Sequence, residues 1–301
     1  MFDNILALYQ STVIMTVPLL LTSLGGLITY HAGTINVAME GLILAGSFAG
    51  VVFSYLFSNA WMGILAAVVV SVLFSIIYSF FVTTLKTDNF AIGFALNIFI
   101  SSFTLYLSRI MFVGQNAFNS PKIAAIPTFN FDFGVKALNV LFCNYSALAY
   151  VSIVLTFLSY YIIYHAPFGL WLRAAGSFPD ALKTAGKKVT TVQYIASILT
   201  GVLCGLAGAQ LSLSNVVMFS KDMSGGRGFI CLAIILISRG KPKTAFLLSV
   251  FFGLCQVLSI HFQSSLIPAQ FLFMLPYIMA IATLLFMNSS NIHKASKGKQ
   301  I

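Results

Sequence analysis

The chain contains a single glutamate, Glu40, and four histidines, His31, His165, His261 and His293, scattered far apart. No His-Glu-x-x-His pair is present to hold zinc, and no Gly-x-Ser-x-Gly turn to expose a nucleophilic serine. The run Gly225-Gly226-Arg227-Gly228 lacks the Lys-Ser/Thr pair with which a phosphate loop grips a nucleotide. Cys143, Cys204, Cys231 and Cys255 form no Cys-x-x-Cys pair, and three of them lie in apolar runs, where cysteine behaves as a small buried hydrophobe. These residues predict no catalytic, metal or cofactor site, and hence no enzyme. Glu40 is the exception to an otherwise inert inventory. It sits in an apolar stretch four residues after Asn36, a spacing that places both on one face of a helix. A carboxylate among hydrocarbon is costly unless it faces a partner, the bundle interior or water. Two roles are open for it: hydrogen bonding that holds neighbouring helices together, or a place beside a solute path. Asn36 has the same two roles open.

The elements that must position these residues are membrane helices. Of 301 residues, 16 are basic and 6 acidic, which is 7% charged against roughly 25% in a soluble domain. Hydrophobic residues make up 59%. Such a composition excludes a soluble enzyme, a disordered chain and a disulfide scaffold. The net charge of +10 is no nucleic-acid footprint, because the basic residues sit between apolar runs rather than on a basic-aromatic domain. Apolar segments at 6–28, 34–57, 61–84, 90–113, 142–165, 190–213, 227–238, 244–263 and 268–287 predict an all-α polytopic bundle of about 8–10 membrane segments. The segment 227–238 is too short to cross about 30 Å of hydrocarbon, and three glycines lie within the four residues 225–228. A discontinuous or re-entrant element is expected there, as transporters place where solute is handled. Small residues four apart, Gly46/Gly50 and Gly201/Gly205/Ala209, predict close helix contacts.

Eleven Lys and Arg fall on one set of loops and five on the other. Putting the richer set inside gives an external N-terminus and nine crossings. Two loops are long. Residues 114–141 are expected outside. Residues 166–189 are expected inside, with Pro179 and Asp180 opening a helix of about two turns that Gly186 closes. So short a helix needs a packing partner, either lipid headgroups or protein.

Three stretches carry a family pattern. Residues 24–50 contain Asn36-x-x-x-Glu40-Gly41. Residues 172–210 contain Arg173, Gly176 and Pro179-Asp180-Ala181 through Thr184 to Gly186. Residues 224–279 contain Gly226-Arg227-Gly228-Phe229-Ile230. Together the chain resembles the permease subunits of bacterial ABC importers in the branched-chain amino acid and simple sugar group, most closely the nucleoside-type branch. It departs from the pattern at Phe178, at Asp180 in place of glutamate, at Lys187 and Lys188, and at Ala38.

The resemblance implies that 1–287 form a transmembrane permease domain, that 166–189 form a cytoplasmic coupling segment within it, and that 288–301 form a flexible tail. Arg173, Gly176, Pro179, Asp180, Ala181, Thr184 and Gly186 would couple to a separate cytoplasmic ATP-binding subunit. Asn36, Glu40, Gly226, Arg227 and Phe229 would belong to the pathway or to helix packing. The implied partners are that ATPase, a second permease in a heterodimer, an extracytoplasmic solute-binding lipoprotein, a small-molecule solute and the bilayer, with no nucleic acid. The implied location is the bacterial cytoplasmic (inner) membrane, multi-pass. The implied cargo is a nucleoside, purine nucleosides first, with ribose or galactose as the alternative. An ion-coupled transporter using Glu40 is the other alternative.

Overall fold

A computed structural model describes residues 2–111, 117–129 and 143–261. The chain runs through α1 (Phe2–His31), α2 (Met39–Phe57), α3 (Ala60–Ser79) and α4 (Asn89–Met111). Short strands follow, β1 (Ala117–Phe118), β2 (Thr128–Phe129) and β3 (Tyr145–Ser146). Then come α5 (Ala147–Tyr164), α6 (Pro167–Ser177), α7 (Pro179–Thr184), α8 (Val189–Gln210), β4 (Phe219–Ser220), α9 (Arg227–Ser238) and α10 (Pro242–His261). Among the described residues seven helices are long and apolar enough to cross a membrane: α1 to α5, α8 and α10. Helices suit these apolar runs because lipid offers the backbone no hydrogen-bond partner, so each segment must satisfy its own.

Polar residues mark the helix ends. Asn59 Oδ1 accepts the Trp61 amide at 2.9 Å and starts α3, and Asp88 Oδ1 accepts the Phe90 and Ala91 amides at 3.0 and 2.9 Å and starts α4. Left-handed Ser58 (φ 48°) closes α2, and Arg239 (φ 50°) with Gly240 (φ 79°) closes α9.

Helices α1, α2 and α8 pack together as the most buried part of the bundle, and α3 packs against α2 and α8. The small-residue stripes lie in these contacts. A Cβ on Gly205 would stand 2.7 Å from Val68 Cα, and one on Gly46 would stand 3.1 Å from Gly205 Cα. Backbones this close allow no side chain between them. The four cysteines are free and buried.

Three features differ from, or add to, the sequence expectation. Asn36 precedes α2 instead of sharing a helical face with Glu40, because the chain turns through Val37 and Ala38 before the helix begins at Met39. The loop 166–189 holds a second helix, α6, ahead of the short one. Pro167 at its first position and the buried face Gly169, Leu172 and Ala175 make it amphipathic. Finally, α3 and α8 each end in a π-helical turn, at Phe80–Thr84 and Leu211–Asn215. The second of these opens the discontinuous element: α8 ends, β4 and the turn 221–226 follow, and α9 then runs for only 12 residues, about 18 Å. The segment 268–287, the tail 288–301 and the ninth crossing lie outside the described residues.

Candidate functional site

The broken segment is held at its amino end by Glu40. Gly226 N donates to Glu40 Oε1 at 2.7 Å, and Gly228 N donates to Oε2 at 2.6 Å. These are amides at the start of α9, where no carbonyl of the helix can reach them, and where a negative charge also opposes the helix dipole. The geometry needs both glycines. Gly226 has φ 77°, and a Cβ on Gly228 would stand 2.9 Å from Glu40 Oε2. The Asn-x-x-x-Glu-Gly and Gly-Arg-Gly-Phe-Ile elements, 186 residues apart in sequence, are therefore one structural unit. Arg227 folds back, its Nη1 donating to the Met223 and Ser224 carbonyls at 3.1 Å each. Asn36 Oδ1 accepts the Ala38 amide at 2.9 Å and shapes the turn into α2, while its buried Nδ2 has no partner among the described residues.

One helix face of α4 completes the unit. Phe94 stacks on Phe229 with centroids 5.8 Å apart and 25° between planes. Asn97 Oδ1 accepts the Gly41 amide at 2.8 Å, and its Nδ2 donates to the Val37 carbonyl at 2.9 Å. Ser101 Oγ donates to Asp222 Oδ1 at 2.6 Å. Positions 94, 97 and 101 are spaced as one face of a helix. Sequence reasoning missed Asn97. Its signal was an amide in mid-span, where an unpaired polar group would be costly.

The loop 166–189 forms a separate unit. Helix α6 is docked by Leu172 and Ala175, and α7 is anchored by Leu182, which is 3% exposed. Pro179 starts α7, Thr184 Oγ1 donates to the Asp180 carbonyl at 2.9 Å, and Lys183 Nζ donates to Asp180 Oδ1 at 2.8 Å. That hydrogen bond, and then the lysine's charge, hold the Asp180 carboxyl below its ordinary value. Ala181, exposed, lies on the outward side, and Gly186 closes the turn at φ 75° with open space around it. Arg173 lies over the Tyr164 ring at 5.6 Å. Two of the departures from the family pattern, Phe178 and Lys187, have placements of their own. Phe178 is 72% exposed between the two helices, and Lys187 lies 4.5 Å over the Trp171 ring.

The two units are joined by the turn after α1. Gly176 of α6 meets Gly33 so closely that a Cβ would stand 2.9 Å from the Gly33 amide. His31 Nε2 bonds the Gly240 carbonyl at 2.7 Å beyond the other end of α9, and Gln193 Nε2 donates to the Ala32 carbonyl at 3.2 Å. The chain from that turn leads directly to Asn36 and Glu40.

On the opposite side β1 pairs antiparallel with β4 (Ala117 with Ser220), and β2 pairs with β3. Ile126 N donates to the Leu213 carbonyl at 3.1 Å. The 114–141 loop is thus brought onto the broken segment, in its described part. Among the described residues no three His, Cys, Asp or Glu side chains lie close enough to hold a metal ion.

Residues 8–287 match the family model described as the branched-chain amino acid transport system / permease component. The guanosine ABC transporter permease protein NupQ of Bacillus subtilis is 30% identical, over 96% of this chain and 96% of its own. The nucleoside ABC transporter permease protein NupC of Lactococcus lactis is 30% identical, over 94% of this chain and 92% of its own. In a solved ABC transporter assigned to the metal-chelate type, in an inward-facing conformation, one chain superposes with a TM-score of 0.54 at 14% identity. The match covers 93% of this chain and 85% of that one, and shows a shared fold. Membership implies an ATPase subunit and a solute-binding component, and it displaces the ion-coupled alternative. The chain belongs to the branched-chain amino acid transport system / permease component family and is the multi-pass, inner-membrane permease subunit of an ABC importer.

Proposed function

We propose that this subunit forms half of a translocation pathway for nucleosides, purine nucleosides first. The observation that carries the cargo class is the pair of relatives, each 30% identical across at least 92% of both chains, named for guanosine and for nucleoside transport. Within the permease domain 1–287, segment 166–189 is the coupling segment. Its outward surface, built from Pro179, Asp180, Ala181, Thr184 and Gly186 and braced by Arg173 and Gly176, docks on the ATPase. A second, different permease completes the pathway, and a lipoprotein delivers solute to the face carrying β1 and β4.

A displacement can pass between the two units through their contacts. A push on α7 moves α6, and α6 is seated on Gly33. From there the chain passes through Asn36 to Glu40, whose carboxylate holds the amino end of α9. Gly226, Arg227 and Phe229 therefore move with the coupling segment. Chemistry stays on the ATPase, so this chain needs affinity low enough to release its cargo.

The test is uptake of labelled guanosine into vesicles holding this subunit, its partner permease and the ATPase, with the binding protein outside. Uptake should need ATP, survive collapse of ion gradients, and be competed by nucleosides but not by ribose or galactose. Competition by free sugar alone would overturn the cargo. Unchanged coupled uptake in an Asp180→Ala/Gly186→Ala variant that assembles normally would overturn the coupling role.

A further inference from the structure

Beside the 166–189 unit and away from Glu40, a cavity of about 250 Å3 opens between the carboxyl end of α5 and the amino end of α10. It is lined by Tyr160, Tyr164, Lys241, Pro242, Lys243 and Thr244. The volume is below the roughly 300–1,000 Å3 of sites for drug-sized ligands. Its rim is cationic. Lys243 Nζ lies 4.9 Å over the Tyr160 ring and Arg173 lies over the Tyr164 ring. Among the described residues no carboxylate lines the cavity. The amides of Lys243 and Thr244 belong to the first turn of α10, where helix geometry supplies no intrahelical acceptor.

What lies below the cavity separates a lipid from a soluble anion. On α5, Ile153, Phe157, Tyr160 and Tyr164 share one helical face, and Phe157 is 72% exposed. On α10, Lys243, Leu247, Phe251 and Leu254 share one face, and Leu247 is 67% exposed. The two helices pack together. Two apolar tracks therefore descend from one cationic, tyrosine-ringed cavity, the pattern of an amphiphile with an anionic head and hydrocarbon tails. We propose that this cavity binds the phosphate of an anionic phospholipid, with the acyl chains lying along the seam between α5 and α10.

The test titrates the full-length chain in detergent with phosphatidylglycerol or phosphatidylcholine and counts bound lipid by native mass spectrometry. Phosphatidylglycerol should be preferred. A Lys241→Gln/Lys243→Gln variant should bind it on the order of 10- to 30-fold more weakly, a Lys→Arg pair should keep it, and single Lys243→Gln should lose about fivefold. The single variant preserves the test if the double one does not fold. Equal binding by the glutamine variants would overturn the site. So would an equal loss in the control Lys187→Gln/Lys188→Gln, which would mean unspecific surface charge. Displacement of phosphatidylglycerol by an equal concentration of inorganic phosphate would mean a soluble-anion site and overturn the lipid assignment.

Discussion

Around Glu40 three elements meet through groups that cannot leave without being missed. The α9 amides bond the carboxylate, the α2 amide of Gly41 bonds Asn97, and Asp222 bonds Ser101 on α4. At α7 a single buried side chain, Leu182, holds six residues whose remaining surface is open. Both regions carry family motifs, yet one is knitted into the bundle and the other is presented from it. The difference indicates where each acts. A knitted region transmits displacement because its parts cannot move separately. A presented region, with little of its own to hold it, is free to be gripped by something else.

The sharpest attempt to separate them is Glu40→Ala. It removes the acceptor of two part-buried amides at once, and a donor left unsatisfied on full burial costs roughly 1–3 kcal/mol. We expect the largest fall in thermal midpoint of any variant here, measured on the purified protein, together with loss of uptake. Glu40→Gln keeps one carbonyl oxygen and should lose less. If Glu40→Ala unfolds at the wild-type temperature, the carboxylate is no clamp and the contrast between the two regions collapses.

The sequence made one of these regions legible and left half of the other hidden. Pro179, Asp180 and Gly186 announce a helix start and stop from local rules, and α7 obeys them. Glu40 announced itself as a costly charge, but its partners stand 186 and 188 residues away and are backbone amides, which no residue type advertises. Asn36 misled for a related reason. Helical spacing placed it beside Glu40, whereas its side chain accepts the Ala38 amide and turns the chain before the helix starts. The glycines at 225–228 told of a break without telling what would hold it. The α6 helix was hidden by its short amphipathic run, which reads as loop until Leu172 and Ala175 are seen to be buried.

A smaller fall is expected for Asn97→Leu, which keeps the volume but leaves the Gly41 amide and the Val37 carbonyl without their partner. Neutral hydrogen bonds are worth about 0.5–1.5 kcal/mol each, and more where the remaining group stays buried. The midpoint should drop less than in Glu40→Ala, and the double variant should lose less than the two singles summed, because both act on the start of α2. Strict additivity would place Asn97 outside the Glu40 unit. Leu182→Ala runs the other way. Removing a buried leucine costs about 2–5 kcal/mol, but here the loss falls on α7 alone. Uptake should fail while the global midpoint barely moves, and protease should cut near Phe178 first.

Asp180 should have the smallest effect on stability. Its carboxylate and Lys183 are 90% and 65% exposed, so the pair is screened by water. The lysine's hydrogen bond and charge depress the carboxyl's pKa in the folded chain. A depressed carboxyl stabilises the fold above its unfolded value and loses that contribution as pH falls through the folded one. The window therefore lies below about pH 3.9, the ordinary aspartate value. At neutral pH, Asp180→Asn should leave the thermal midpoint where it is and still lower ATP-coupled uptake, because the side chain faces outward from a helix it does little to hold. A midpoint shift as large as that of Asn97→Leu would instead make α7 part of the knitted core, and an outward arm would no longer describe it.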